Sequence, residues 1–125
     1  MVFIRRATQS DHEEWLRMRA ALWPDCPLGD HRSEMADQLA DPARYAVFVA
    51  ERDTGKLGGF LEASLRAYAD GCRTSPVGYI EGWYVDTDLR RQGLGGELVK
   101  SGNSIPQDTL HRLKCVEATD FVKIV

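Results

Sequence analysis

The sequence predicts a mixed α/β (α+β) domain in which a mainly antiparallel sheet is flanked by helices. Three observations point there. Strand-like segments follow one another across turns between Tyr45 and Val85, segments of helical spacing precede them, and the last strand runs into a glycine-rich turn that opens a further helix. With 125 residues, 43% hydrophobic and 28% charged, the chain suits one domain spanning residues 1–125 around a single core.

Val2 to Ala7 alternates and reads as a first strand. Ser10 and Glu13 have the spacing of a capping box and are expected to open a helix from Asp11 to Trp23. Trp15, Met18 and Leu22 share one face of it and belong to the core, and Pro24 stops it. Pro24 to Asp30, with two prolines and a glycine, predicts a loop, followed by a short polar helix from His31 to Ala40 that Asp41-Pro42 ends. Tyr45 to Arg52 and Leu57 to Tyr68 flank Asp53-Thr54-Gly55-Lys56 as a hairpin. After a turn over Ala69 to Pro76, Val77 to Val85 completes a three-stranded meander. Gly82, in mid-strand, signals a bulge or a close approach to the backbone, or is an accident of packing. Leu89 to Gly96 is a turn leading into a helix over Glu97 to Lys100, which Gly102 to Pro106 ends. A second helical stretch over Gln107 to Leu113 and a closing strand over Val116 to Val125 follow.

A formal charge of -3 and a pI near 5.6 argue against a nucleic-acid partner and suit a small cationic one. Arg5-Arg6 and Arg90-Arg91 are pairs, not a basic stripe with interleaved aromatics. No apolar run approaches the roughly 20 residues of a membrane span. The first basic residues follow apolar ones, the wrong order for a secretory signal, so a cytoplasmic location is expected. Cys26, Cys72 and Cys115 are isolated and expected to be reduced thiols, with no disulfide and no metal site. His12, His31 and His111 are scattered and are expected to be surface or capping residues.

A strand that feeds a glycine-rich turn and then a helix is a device for holding phosphates, because the first N–H groups of the helix lack intrahelical partners. Glycine permits close approach, and Arg90 and Arg91 add positive charge beside those donors. Neither the dinucleotide G-x-G-x-x-G pattern nor the P-loop pattern is met, which indicates a different diphosphate.

Arg90-x-x-Gly93-x-Gly95, after a strand ending Trp83-Tyr84-Val85, resembles the acetyl-CoA pyrophosphate loop of the GCN5-related N-acetyltransferases (GNAT), and the order of elements is similar over nearly the whole chain. Within that family the chain resembles the aminoglycoside 6'-N-acetyltransferases. The likeness runs through Leu22-Trp23-Pro24, the stretch from Tyr68 to Pro76 with Asp70-Gly71-Cys72 and Ser75-Pro76, and Tyr79-Ile80-Glu81-Gly82.

The resemblance implies an antibiotic-resistance enzyme with acetyl-CoA as co-substrate, an aminoglycoside as acceptor, and direct attack of the amine on the thioester. Arg90, Arg91, Gln92, Gly93, Leu94, Gly95 and Gly96 would wrap the pyrophosphate, and Asn103 matches a position near the cofactor. Backbone around Tyr84 and Val85 would meet the pantetheine, with Val85 as the donor that polarises the acetyl carbonyl. Glu81 would be the general base or an ammonium ligand, unless it faces solvent. Trp23 and Tyr68 match acceptor-pocket positions, although both could serve packing, and Asp25 and Asp70 are further acidic candidates.

One strand expected by the resemblance, between the helix opened by Gly95 and the final helix, is missing at the C-terminal side. Three readings stay open: a stretch missing between joined segments, a strand exchanged with a partner in a homodimer, or a truncated, weakened enzyme. The competing functions are an acyl-CoA-binding or interaction domain, and acetylation of protein or polyamine amines.

Overall fold

The computed structural model describes residues 2–66 and 77–102. Among them, four strands form an antiparallel sheet in the order β1-β2-β3-β4: β1 (Val2–Arg6), β2 (Tyr45–Arg52), β3 (Leu57–Arg66) and β4 (Val77–Val85). Helices α1 (His12–Leu22) and α2 (Leu28–Ala40) cover one face, and α3 (Leu94–Gly102) covers the other. The expected class is therefore observed. The turn over residues 69–76, the stretches expected at 107–113 and 116–125, Cys72, His111 and Cys115 lie outside the described residues. No described helix is long and apolar enough to cross a membrane.

The central strand explains the layering. Ala46 to Ala50 of β2 are all buried, as a strand covered on both faces requires. Alternation sends Phe48 and Ala50 toward Leu94 and Leu98 of α3, and sends Val47 and Val49 toward Trp15 and Met18 of α1 and Met35 of α2. The hairpin turns where expected, with Gly55 at a φ of 86° that favours glycine.

Three helix starts differ from the sequence reading. The box that opens α1 is built by Thr8 and Asp11 around a short 3-10 turn, not by Ser10 and Glu13. The Thr8 N–H donates to Asp11 Oδ2 at 2.7 Å, and Arg5 grips both Asp11 oxygens at 2.8 Å. A second acceptor for Arg5 at Glu51 ties this corner to β2, and a salt link of that kind has no local sequence signature. Helix α2 starts at Leu28, three residues before expected, because the Pro27 carbonyl accepts the N–H groups of Asp30 and His31 at 3.0 and 3.1 Å. A proline before the first turn costs a helix nothing, since that position needs no N–H.

Helix α3 likewise starts at Leu94, ahead of the expected Glu97, whose N–H bonds the Gly93 carbonyl at 3.1 Å. Its two internal glycines serve different ends. A Cβ on Gly95 would come within 2.7 Å of the Trp83 indole, so this glycine lets α3 lie close on β4, whereas a Cβ on Gly96 would meet open space. Gly95→Ala should therefore destabilise the fold by about 1–3 kcal/mol through overpacking. Gly96→Ala should be neutral or stabilise by up to about 1 kcal/mol through helix propensity. Urea unfolding of the two variants checks this, and equal effects would contradict it.

Candidate functional site

A cleft of about 710 Å³ opens between the C-terminal end of α1, α2 and the sheet, lined among others by Trp23, Asp25, Asp37, Tyr45, Glu62 and Glu81. Its floor is a buried ion pair. Arg19 Nε donates to Glu62 Oε2 at 2.8 Å, with the two side chains 4% and 1% exposed. Glu62 also accepts from Trp15 Nε1 and from Gln38 Nε2, each at 2.9 Å, and from a second Arg19 nitrogen at 3.2 Å. Such saturation is what keeps a carboxylate charged away from water. The remaining Arg19 nitrogen donates to the His31 carbonyl, His31 Nδ1 and Glu34. A guanidinium cannot accept, so Nδ1 is the acceptor and His31 Nε2 carries the proton that it donates to the Trp23 carbonyl at 3.3 Å. Arg19 also lies 5.0 Å from the centre of the Trp23 ring. Hence His31 is a fully buried linker, not the surface or capping residue expected.

The wall of the cleft is set by a bulge in β4. Glu62 faces Gly82 and Ala63 faces Ile80, which leaves Glu81 as the extra residue. The alternation slips by one there, so Glu81 and Gly82 both face the α1–α2 side, while Ile80, Trp83 and Val85 pack toward α3. Ser64 donates to Glu81 Oε2. A Cβ on Gly82 would fall 2.5 Å from the Trp23 ring, so the two readings of this glycine, bulge and close approach, both hold. Among the described residues, five carboxylates (Asp25, Glu34, Asp37, Glu62 and Glu81) and one guanidinium line the cleft, an excess of negative charge.

Below the bulge, β4 leads to the turn. The Asp86 N–H donates to the Gly58 carbonyl at 2.8 Å, which fixes the phase of the antiparallel ladder. Tyr84 then bonds β3, and the N–H of Val85 faces outward at the sheet edge among the described residues. The Val85 carbonyl accepts Arg90 Nε at 2.7 Å, and the Arg90 guanidinium lies 5.6 Å from the centre of the Tyr84 ring. Burial pushes the Tyr84 phenol up, helped by Asp86. Arg91 and Gly93 adopt φ of 65° and 81°, turning the chain so that the N–H groups of Leu94, Gly95 and Gly96 open α3 without intrahelical partners.

Of the residues singled out from sequence, Trp23, Asp25 and Glu81 meet in the cleft. Arg90 to Gly96 form the turn and the first residues of α3, with Arg90, Arg91, Gln92, Gly93 and Gly96 exposed. The Leu94 side chain is buried in the core, so only its backbone can face a ligand. Tyr68, Asp70 and Asn103 lie outside the described residues. Arg19, His31, Gln38 and Glu62 were missed. A signal existed, because Arg19 stands at i+4 from Trp15 within the apolar stripe of α1, and Glu62 interrupts the apolar run of β3. Cys26, His31 and Glu34 bring ligand atoms within 4.8 Å of one another, yet Arg19 already donates to His31 and Glu34, so a metal ion would have to displace a guanidinium. Desolvation, with Glu34 and Asp30, also holds the Cys26 thiol up.

Comparison with known proteins matches residues 12–102 to the family model described as Acetyltransferase (GNAT) family. An aminoglycoside N(6')-acetyltransferase type 1 from Klebsiella aerogenes is 42% identical over 102 residues, covering 78% of this chain and 66% of the relative. One from Stenotrophomonas maltophilia is 40% identical over 106 residues, covering 84% and 67%. Among solved structures, AAC(6')-Iy in complex with a bisubstrate analog, CoA-S-monomethyl-acetylneamine, superposes with a TM-score of 0.75 at 32% identity, over 81% of this chain and 68% of that one. The aminoglycoside 6'-N-acetyltransferase AAC(6')-Ih from Acinetobacter baumannii gives 0.74 at 34% identity over the same shares, 81% and 68%. The chain spans about two thirds of the length of these curated relatives.

The floor of the cleft yields a stability contrast. Glu62→Gln strands the Arg19 charge in the interior and should cost about 3–5 kcal/mol. Glu34→Gln, at the solvent-facing end of the same guanidinium, should cost less than about 1 kcal/mol. Denaturant midpoints decide, and similar losses in both would refute the buried-pair assignment.

Proposed function

We propose, from the premise that the chain belongs to the acetyltransferase (GNAT) family, that it transfers the acetyl group of acetyl-CoA to the 6'-amine of an aminoglycoside. The observation that carries this reading is the bulge in β4, which puts Glu81 into an anionic cleft on one face while the edge of the same strand, at Val85, runs into the phosphate-type turn. The named relatives support the choice of acceptor, and the solved complex with a CoA conjugate supports the coenzyme.

The N–H groups of Leu94, Gly95 and Gly96, with the exposed Arg91, would hold the diphosphate of acetyl-CoA. Gln92 is engaged at the Asp88 carbonyl at 3.1 Å, and Arg90 at Val85, so these two shape the loop. The pantetheine would lie along the outer edge of β4. Cleft carboxylates, Asp25 among them, would hold the ammonium groups of the acceptor, and Trp23 would offer a flat face to a sugar ring. Tyr68, Asp70 and Asn103 remain proposed contacts on the same grounds of resemblance.

Glu81 accepts a proton from the reacting ammonium, directly or through one water, which frees the nitrogen lone pair. That nitrogen attacks the thioester carbon, and the developing oxyanion accepts the Val85 N–H. Collapse breaks the carbon–sulfur bond, the amine sheds its second proton, and CoA leaves as a thiolate that is then protonated. Amide and free thiol are the products, and no covalent enzyme intermediate is needed.

We also propose a cytoplasmic location for this chemistry. A homodimer with an exchanged strand would cover the β4 edge.

Release of free thiol from acetyl-CoA should rise on addition of kanamycin or tobramycin. Release with polyamine or protein amines alone would favour the other acceptors, and CoA binding without release would favour a binding module. Glu81→Gln should leave CoA affinity unchanged and slow transfer by about 10²- to 10⁴-fold. Gly93→Val, forced into a left-handed conformation, should weaken CoA binding itself. Equal loss of CoA affinity in both variants would contradict the assigned roles.

A further inference from the structure

The turn that would hold the diphosphate begins with the wrong charges. Residues 86–93 contain Asp86 and Asp88 as well as Arg90 and Arg91, and so are formally neutral. Two arginines from the N-terminal half of the chain change this. Arg52, at the end of β2, donates to both oxygens of Asp88 at 2.8 Å and to Asp86 Oδ2 at 3.0 Å. Arg17, on α1, donates to both oxygens of Asp86 at 3.1 and 3.2 Å. With them these groups carry one net positive charge, with Glu14, which also pairs with Arg17 at 3.0 Å, counted, enough to balance Glu97 in the first turn of α3. The two aspartates respond accordingly. Burial alone would raise Asp86, but the two guanidiniums hold its carboxyl below the ordinary range, and Arg52 lowers Asp88 in the same direction.

Resting on the coenzyme reading above, we infer that Arg52, which lines no part of the acceptor cleft, is a positioning residue for the coenzyme: it cancels Asp88 and shares Asp86, and so keeps the turn attractive to a diphosphate that it does not touch. A purely structural role predicts something else. In that case any loss of Arg52 would weaken the fold and the cleft alike, and removing a second member of the ion pair would make matters worse. Cancellation of charge predicts that removing the unpaired carboxylate restores binding, and that salt hides the effect.

Calorimetry with CoA on the full chain separates these. Arg52→Gln should weaken CoA binding about fivefold at low ionic strength, as expected for one unmasked charge some 8–10 Å from a dianion in water. The ratio to the unaltered chain should approach one near 1 M salt, where the Debye length is about 3 Å. Arg52→Gln with Asp88→Asn should regain most of the loss, Arg52→Lys should retain most of the affinity, and KM for the amine should not move. Asp88→Asn alone, with Arg52 intact, should tighten CoA binding. The inference fails if Arg52→Gln binds CoA normally, if the second substitution does not restore binding, if the loss persists unchanged at high salt, or if Asp88→Asn fails to tighten it. No uptake of CoA by the unaltered chain would instead overturn the coenzyme reading, and this inference with it.

Discussion

One irregularity in one strand organises the functional end of the molecule. Were β4 regular, Glu81 and Gly82 would point to opposite faces, and every residue from Gly82 onward would be turned over relative to the cleft. The extra residue opposite Glu62 puts a carboxylate and a bare backbone position side by side on the α1–α2 face, and Trp23 occupies the space that the missing Cβ leaves. It also returns Trp83 and Val85 to the α3 side, where the close seat of α3 on Trp83 depends on Gly95. The start of α3 and the turn before it are positioned by that seat. Thus the acidic cleft and the phosphate-type turn share a mechanical origin although they lie on different sides of the sheet.

The bulge alone would not hold Trp23 in place. That ring ends α1 and belongs to no regular element, yet it contacts Arg19, His31, Phe60 and Gly82. Arg19 is the joint. Its pairing with Glu62 spans from helix to sheet, and its bond to His31 reaches the second helix. A hydrophobic replacement of this network could be equally stable. Directed hydrogen bonds add a fixed mutual orientation of α1, α2 and β3, and the rim of a site needs that more than it needs further stability.

The sequence made the strands legible because their signals are local. The hairpin turn and its apolar, strand-forming flank marked β2, and the whole of β4 was read to the residue. Gly82 pointed to the bulge because a glycine in mid-strand requires a reason. Legibility failed where the determinant is a side-chain contact from outside the element itself. The opening of α1 rests on Arg5 reaching Asp11, and local spacing pointed to Ser10 and Glu13 instead. His31 looked like a polar residue on a polar helix, because what buries it is Arg19 twelve positions earlier and Trp23 eight positions earlier. The floor of the cleft was within reach: an arginine in an apolar helical stripe and a glutamate in an apolar strand are each costly alone, and the simplest resolution is that they meet.

Charge is handled in opposite ways beside the middle of β4 and just beyond its C-terminal end, and the proposed substrates make sense of the difference. Near Glu81 the carboxylates outnumber the cations and several of them face open space, which suits a partner bearing ammonium groups. Near Asp86 the two carboxylates, Asp86 and Asp88, are silenced by Arg17 and Arg52, although both arginines could have served elsewhere on a surface where single ion pairs contribute little. Around one strand the protein thus leaves one set of anions open and masks another. A transferase that brings a polycation to a polyanion faces this problem in particular, since unmasked acid at the coenzyme end would repel the diphosphate and compete for the amine. The masking arginines come from α1 and from the end of β2, so the acids of the turn after β4 are masked only when the N-terminal half has folded against β4.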